Sequence, residues 1–378
     1  MEPMKKKLLI ILQDLRGGGA EKMMVRLAGA LAEGGHDVTL LTLTAEGVNS
    51  AHLAPTVSRV HLSSSRTASA LPALTRYLRA HRFDAQLAAL THVNVVAILA
   101  AFLSGTLTRQ HVSERNAFSH DKYVNPSLSV RMSYWLAPLL YRLAPNPVIC
   151  VSQGVAQDLV RTTVARERDV TTADNPVLDD DFRQTPPPSP AHRWLEHKAC
   201  PVIVAVGRLA EQKGFDTLIT ALAQLTDSRV RLVILGEGPL RQQLINHALA
   251  VGVADRVDLA GYSPAPLAEI AAADCFVLSS RFEGSPNVLV EALSTGVPVV
   301  STRCPYGPEE ILDNSRLGRL VPVDDPAAMA KAIEHALHDN CEQARQVRIE
   351  AATRFTRANA AKTYLSALFR EEPHDENP

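Results

Sequence analysis

Short apolar runs alternate with helix-like stretches along most of this chain, and the alternation stops once and then restarts. In the first half, runs suited to strands cover 8–13, 38–43, 59–62, 85–90, 110–113 and 148–151. Between them lie stretches of helical spacing near 20–33, 70–81, 93–103, 127–143 and 153–161. Such alternation specifies parallel sheets joined by crossover helices. Residues 184–190 then read Gln-Thr-Pro-Pro-Pro-Ser-Pro, a stiff segment that neither a helix interior nor a central strand tolerates. Beyond it, strands are expected at 202–206, 230–235, 257–260, 275–278, 297–301 and 318–321. Helices are expected over 214–225, 239–250, 264–273, 286–295, 326–338 and one long segment from 342 to 370.

The chain has 378 residues, more than the ~250–300 at which single cores stop growing. Two doubly wound, Rossmann-like α/β domains are therefore expected, with a hinge within 176–190. Their boundaries are placed at 1–183 and 191–355, with a final helix, 356–370, and a polar tail, 371–378, read as disordered. Ligands of such sheets bind outside the carboxyl ends of the strands. Two of them facing each other make an interdomain cleft the expected site.

Composition excludes several classes. With 46% hydrophobic and 21% charged residues the chain is not largely disordered. No apolar run approaches the ~18 residues of a membrane span, and a net charge of −1 argues against a nucleic-acid binder. Residues 1–190 nevertheless carry 20 Lys+Arg against 16 Asp+Glu, and the remainder 19 against 24. The five cysteines, Cys150, Cys200, Cys275, Cys304 and Cys341, are scattered beside apolar runs and form no CxxC, which fits buried thiols in a reducing cytoplasm. The apolar stretch Leu8–Leu12 is too short for a signal peptide.

Three constellations carry chemistry. Gly17-Gly18-Gly19-Ala20-Glu21 follows the first strand and lets a backbone approach an anion at a helix start. It lacks the GxGxxG spacing, and Thr42-Leu43-Thr44 puts no acidic residue at the end of the second strand, which disfavours a nicotinamide dehydrogenase. Arg208 and Lys213, in Gly207-Arg208-Leu209 and Gln212-Lys213-Gly214, place two cations at the end of the second domain's first strand, suited to a diphosphate or to a solvated surface. The segment Ser280-Arg281-Phe282-Glu283-Gly284-Ser285-Pro286-Asn287-Val288-Leu289-Val290-Glu291 ends a strand and starts a helix, with Ser285 expected as N-cap and Pro286 as first helical residue. Glu283 and Glu291 then bracket an anion-binding helix end, unless Glu291 is only a helix-face charge.

The Glu283-x7-Glu291 spacing resembles that of retaining glycosyltransferases of the GT-B fold, family 4. The Gly-Gly-Ala-Glu turn at 18–21, Asn175-Pro176-Val177, Gly207-Arg208 with Lys213-Gly214, Gly236-Glu237-Gly238-Pro239 and Glu310-Ile311 follow in the family's order over most of the chain. The resemblance implies that Arg208 and Lys213 hold and stabilise a departing diphosphate, that Glu283 contacts the donor sugar and that Glu291 binds ribose hydroxyls. Gly18, Gly19, Glu237 and the backbone of Gly284, Ser285, Pro286, Asn287 and Val288 complete the implied donor site. No metal and no cofactor is implied beyond the sugar nucleotide as substrate, and the final helix, 356–370, is implied to cross back to the first domain. Retention by front-face attack, with the leaving phosphate accepting the acceptor's proton, is the family's favoured account.

Two departures stand out. Many relatives carry a His at the end of the fourth or fifth strand of the first domain, near the donor sugar. Here Gln110-His111-Val112-Ser113-Glu114-Arg115-Asn116 aligns Arg115 with it, so Glu114 and Arg115 are expected to face the cleft and His111 the core. Asp179-Asp180-Asp181 matches the D-x-D metal pattern by letter but falls in the hinge, and reads as a solvated turn. The stretch 126–145, with Tyr134, Trp135, Tyr141, Arg131 and Arg142, fits either a helix covering the sheet or an amphipathic helix lying on anionic lipid.

Cys304-Pro305-Tyr306-Gly307-Pro308-Glu309-Glu310-Ile311 resembles a loop of bacterial members that build O-antigen, capsule or lipid-linked oligosaccharides. The expected reaction moves a hexose or N-acetylhexosamine from a UDP-sugar to a polyprenyl-diphosphate-linked glycan or lipopolysaccharide intermediate. The expected place is the cytoplasm, or the periphery of the inner membrane face, with no nucleic-acid partner. The competing readings are a UDP-sugar 2-epimerase of the same fold and a sugar-nucleotide-binding subunit without catalysis.

Overall fold

The computed structural model describes residues 4–16, 18–44, 47–119, 128–263, 265–338 and 341–369. The expectations for Gly17, for the helix start at 126–127 and for the tail 371–378 fall outside these residues. The backbone divides into two compact units, one of residues 1–177 with 355–378 and one of residues 178–354.

The first unit holds seven strands: β1 (Lys7–Leu12), β2 (Asp37–Thr42), β3 (Ser58–His61), β4 (Ala85–Ala89), β5 (Gln110–Glu114), β6 (Val148–Cys150) and β7 (Val170–Thr172). They order as β3-β2-β1-β4-β5-β6-β7, all parallel. Leu8 to Leu12 are buried without interruption, as a parallel strand covered on both faces requires. Edge strand β7 has no counterpart among the expected strands. Its Val-Thr-Thr is half-buried and too short to give an apolar run.

The second unit holds β8 (Val202–Val206), β9 (Arg231–Leu235), β10 (Val257–Gly261), β11 (Cys275–Leu278), β12 (Val299–Thr302) and β13 (Arg319–Val321). Their order is β10-β9-β8-β11-β12-β13, again parallel. In each sheet the order reverses at the first strand, between β1 and β4 and between β8 and β11. Such switch points are where ligands bind in doubly wound folds. The proline-rich 184–190 is irregular and almost wholly exposed.

The long final helix expected from 342 to 370 is two helices, Glu342–Ala352 and Arg357–Phe369, separated by a tight turn at Thr353–Phe355. The break has a cause in the backbone. The Phe355 carbonyl accepts the Val177 N–H at 3.0 Å, the Thr356 carbonyl accepts that of Ala360 at 2.9 Å, and the Phe355 ring is buried. The last helix belongs to the first unit, where Tyr364 and Leu368 join Leu8, Ile10, Leu27 and Val38 in one core. The other core gathers Ile203, Phe215, Ile234, Val277 and Met329.

Candidate active site

The second unit builds its site where β8 and β11 part. Gly207 follows β8, and a Cβ there would stand 3.1 Å from the Lys213 stem, so the glycine leaves the channel through which that side chain runs. Gly214 adopts φ +59, and a Cβ on it would lie 2.2 Å from the Ser279 carbonyl oxygen. Only glycine combines that conformation with that approach. The loops are also stitched directly. Ser279 Oγ donates to the Lys213 carbonyl at 2.7 Å, the Arg281 N–H donates to the Gln212 carbonyl at 2.7 Å, and Gln212 Nε2 donates to the Phe282 carbonyl at 2.9 Å.

The product is an ion pair. Lys213 Nζ donates to Glu283 Oε1 at 2.6 Å, and Ser280 Oγ donates to the same oxygen at 2.6 Å. The Lys213 and Glu283 side chains retain only 17% and 8% of their exposure. Behind them, the Glu283 N–H donates to the Pro305 carbonyl at 2.7 Å, and the Tyr306 N–H to the Glu283 carbonyl at 2.9 Å. Burial, with the Glu283 charge adding to it, pushes the neighbouring Cys304 thiol up to about 12. It therefore stays protonated and offers neither a nucleophile nor a metal-binding thiolate at neutral pH.

Glu283 is buried and Glu291 partly exposed. The intervening helix is Asn287–Thr295, with Pro286 at the N-cap and no side-chain cap. The expected cap was Ser285 and the expected first residue Pro286, so the start moves by one. Pro286 takes an extended ψ of 95 and cannot be the first helical residue. The uncapped start leaves the positive end of the helix dipole at the Gly284–Val288 turn. Arg208 is exposed and has no ion-pair partner among the described residues. Glu237 is exposed, 3.5 Å from Arg241. The Glu237 carbonyl accepts the Leu209 N–H at 3.0 Å, which ties the β9 tip to the Arg208 loop. Glu310 pairs with Arg354 at 3.0 Å. Asp179, Asp180 and Asp181 are exposed, at the start of a turn that follows Leu178. Among the described residues no group of three or more His, Cys, Asp or Glu is arranged to hold a metal ion.

In the first unit, Gly18 is the N-cap of helix Gly19–Glu33. A Cβ on Gly18 would fall 1.9 Å from the Glu21 carboxylate, which folds back over the turn, whereas Gly19 opens to free space. Burial raises the Glu21 pKa, the nearby Asp14 charge adds to the rise, and Arg115 opposes it.

Glu114 and Arg115 were expected to face a ligand, and the structure buries both inside the first unit. Glu114 accepts hydrogen bonds from Thr91 Oγ1 at 2.9 Å, from Asn94 Nδ2 at 3.3 Å and from the Tyr141 hydroxyl. Arg115 is 5% exposed and donates to the Tyr364 hydroxyl at 2.6 Å and to the Asn175 side-chain oxygen. A buried guanidinium needs acceptors, and these come from the Asn-Pro segment and the last helix. His111 is buried within β5, as expected.

The sequence reading overlooked His92. It lies just past β4, at the first unit's switch point, one residue into helix Thr91–Ser104. Leu90 before it has a φ of +81, a costly conformation for a branched side chain. The Nε2–H of His92 donates to Gln13 Oε1, Gln13 Nε2 donates to Asp14 at 3.2 Å, and Arg16 closes the chain on Asp14 at 2.7 Å. Burial holds the imidazole down at about 4, against a smaller opposing pull from Asp14. It is neutral at physiological pH. Its place at the end of the fourth strand was the signal that could have found it.

Each sheet thus carries a glycine-bearing loop and a helix start at its switch point, the place where doubly wound folds bind ligands. Residues 17–181 match the family described as Glycosyltransferase Family 4, and residues 192–355 match Glycosyl transferases group 1. The chain belongs to the glycosyltransferases that pair these two domains in a GT-B fold. It is 37% identical over 171 residues to the lipopolysaccharide core biosynthesis glycosyltransferase LpsE of Rhizobium meliloti, covering 44% of this chain and 49% of that protein. The chain thus spans about half the length of that relative. It is 29% identical to the N-acetylgalactosamine-N,N'-diacetylbacillosaminyl-diphospho-undecaprenol 4-alpha-N-acetylgalactosaminyltransferase of Campylobacter jejuni, covering 68% of each. HepE of Anabaena, solved in complex with UDP-glucose, shares the fold with a TM-score of 0.78 at 19% identity, over 97% of this chain and 100% of that one.

Proposed function

We propose that this protein is a retaining, metal-independent glycosyltransferase. It moves a hexose or N-acetylhexosamine from a UDP-sugar to a lipid-linked glycan or lipopolysaccharide intermediate in bacterial cell-surface polysaccharide synthesis. The observation that carries the reading is the Lys213–Glu283 pair, held at 2.6 Å beside an uncapped helix start at the second sheet's switch point. A departing nucleoside diphosphate gains negative charge as the anomeric bond breaks. Lys213, Arg208 and the helix end at Asn287 and Val288 offset it, the kind of fixed stabilisation that contributes most to such steps. Glu283 accepts from a donor-sugar hydroxyl while Ser280 and Lys213 hold it aimed. Glu291 serves the ribose. The acceptor hydroxyl attacks from the leaving-group face and passes its proton to the departing phosphate oxygen, so the reaction needs no enzymic nucleophile.

In the first unit, Gly18, Gly19 and neutral His92 are the proposed ligand contacts. Glu114 and Arg115 are assigned to support. The UDP assignment draws on the UDP-glucose bound to HepE, and the lipid-linked acceptor on the undecaprenol named for the Campylobacter relative. A thermal-shift panel of UDP-, GDP- and ADP-sugars tests the donor. Ligand at about 100 Kd stabilises the folded state by ~2.7 kcal/mol, so the true donor stands out. Silence toward every UDP-sugar sinks the assignment.

A further inference from the structure

Helix Gly19–Glu33 carries Gly29 in its interior. A glycine there costs the helix stability relative to alanine, and its surroundings show what the missing side chain leaves room for. A Cβ at Gly29 would stand 3.1 Å from Arg357 Nη2 and 3.6 Å from the Ala54 Cβ. Gly29 thus forms part of the floor of a cavity of about 220 Å³ in the first unit. Its walls are this helix, residues 49–54 and the start of helix Arg357–Phe369. The volume is below the ~300–1,000 Å³ of pockets for drug-sized ligands, so the cavity suits a compact group.

The lining is rich in hydrogen-bond donors. Lys22 and Arg26 lie one turn apart on the same helix face, and Arg357 joins them from the last helix. Lys22 is exposed and makes no ion pair among the described residues. Arg26 Nε donates to the Pro176 carbonyl at 2.7 Å, and Arg357 Nη2 donates to Glu33 Oε1 at 2.5 Å, so acceptors fix both guanidiniums in place. Among the described residues Glu33 is the only carboxylate in the lining, against the cations of Lys22, Arg26 and Arg357. Asn49 also lines the cavity, is 7% exposed, and has its Nδ2 buried without a hydrogen-bond partner among the described residues. A buried amide N–H calls for an acceptor.

We infer that this cavity binds a phosphate group, either free or carried by a small sugar. A phosphate presents acceptor oxygens in several directions. Lys22, Arg26 and Arg357 supply the charge-assisted donors that select it, and Asn49 adds a neutral one. A planar carboxylate would leave part of this donor set unmatched. The anion bridges helix Gly19–Glu33 to helix Arg357–Phe369 and stabilises the seam between them. None of these residues is assigned to the sugar nucleotide, and the inference does not depend on which donor the enzyme uses.

Inorganic phosphate is titrated into the full chain by calorimetry, with the melting temperature followed in parallel. Glucose 6-phosphate is the second probe. Saturable binding and a rise in melting temperature are expected in the wild type and alike in Lys213→Ala, which removes a cation of the second unit. Lys22→Glu should weaken phosphate about tenfold or more, with an unchanged melting temperature in its absence. Asn49→Leu should weaken it roughly fivefold. Gly29→Ala sets a methyl against Arg357. It should raise the phosphate-free melting temperature yet weaken phosphate about threefold. Tighter binding of glucose 6-phosphate than of phosphate, if lost in Lys22→Glu, assigns a sugar-borne group. Equal or weaker binding assigns the free anion. Absence of saturable phosphate binding, full affinity in Lys22→Glu, or binding that Lys213→Ala removes overturns the inference. Stabilisation by UDP-sugar should persist in Lys22→Glu, which separates loss of this cavity from failure of the transferase reading. Its disappearance together with phosphate binding would place Lys22 in the donor site and overturn the inference as well.

Discussion

Lys213 Nζ and Glu283 Oε1 stand 2.6 Å apart, although 70 residues separate them in the chain, and Ser280 Oγ reaches the same carboxylate oxygen. Both charges are largely withdrawn from water. Removing one leaves the other without its partner, and truncating one member of a fully buried pair costs ~3–5 kcal/mol. Lys213→Ala and Glu283→Ala are expected to lower stability by about 2 kcal/mol each in chemical denaturation. The double variant should lose less than the two costs combined. Transfer should fall roughly 10²–10³-fold or more in each single variant, which still folds. Near-normal turnover by either would remove these residues from the site.

Gly214 is expected to be intolerant in a different way. At φ +59 its Cβ would meet the Ser279 carbonyl at 2.2 Å, so Gly214→Ala must shift the loop that carries Lys213. A melting-temperature drop equivalent to about 2 kcal/mol should accompany weaker donor binding by calorimetry. Unchanged donor affinity would show that this loop does not position the donor.

Arg115 predicts a stability defect in place of a binding one. Arg115→Met removes the guanidinium from Tyr364 and Asn175 and should cost on the order of 2–3 kcal/mol. The KM for donor should stay within about twofold. A large KM rise with unchanged denaturation midpoint would return Arg115 to the ligand.

His92 gives a pH signature. Its folded pKa of about 4 lies below the ordinary value of 6.5, so between these values the unfolded chain binds the extra proton. Stability therefore rises with pH across this window, and is lost as pH falls from 6.5 toward 4. The groups facing the imidazole are Gln13 and Asp14, and Asp14 opposes the shift. His92→Gln should flatten this limb by about 2 kcal/mol in denaturation curves recorded at stepped pH. An unchanged slope would locate the titration elsewhere.

The strands were legible wherever burial on both faces forced an apolar run, as at Leu8–Leu12 and Val202–Val206. The second unit's site was legible because its parts are local: Gly207 to Gly214 is one loop, and Glu283 to Asn287 another. Arg115 was not. After a strand an arginine is equally suited to a ligand or to an internal acceptor, and the acceptor that decides, Tyr364, lies 249 residues away. His92 escaped notice because Thr91-His92-Val93-Asn94 opens an apolar helix and reads as covering structure. Trp135 and Tyr141 occupy the same helical pattern, and only the structure distinguishes buried Tyr141 from exposed Trp135. The final helix was read too long because its break rests on a carbonyl claimed by distant Val177.

Helix Arg357–Phe369, synthesised after the whole second unit, supplies Tyr364 and Leu368 to a core that includes Leu8. While the ribosome is still adding the intervening residues, the emerging first sheet has no cover at that position, and Arg115 has no Tyr364 to accept its hydrogen bond. The second unit, contiguous in sequence, is complete before the first one is. Maturation thus runs against the order of translation. A nascent chain stalled or cut before Arg357 displays a greasy, cation-bearing seam, the kind of surface that chaperones and proteases engage.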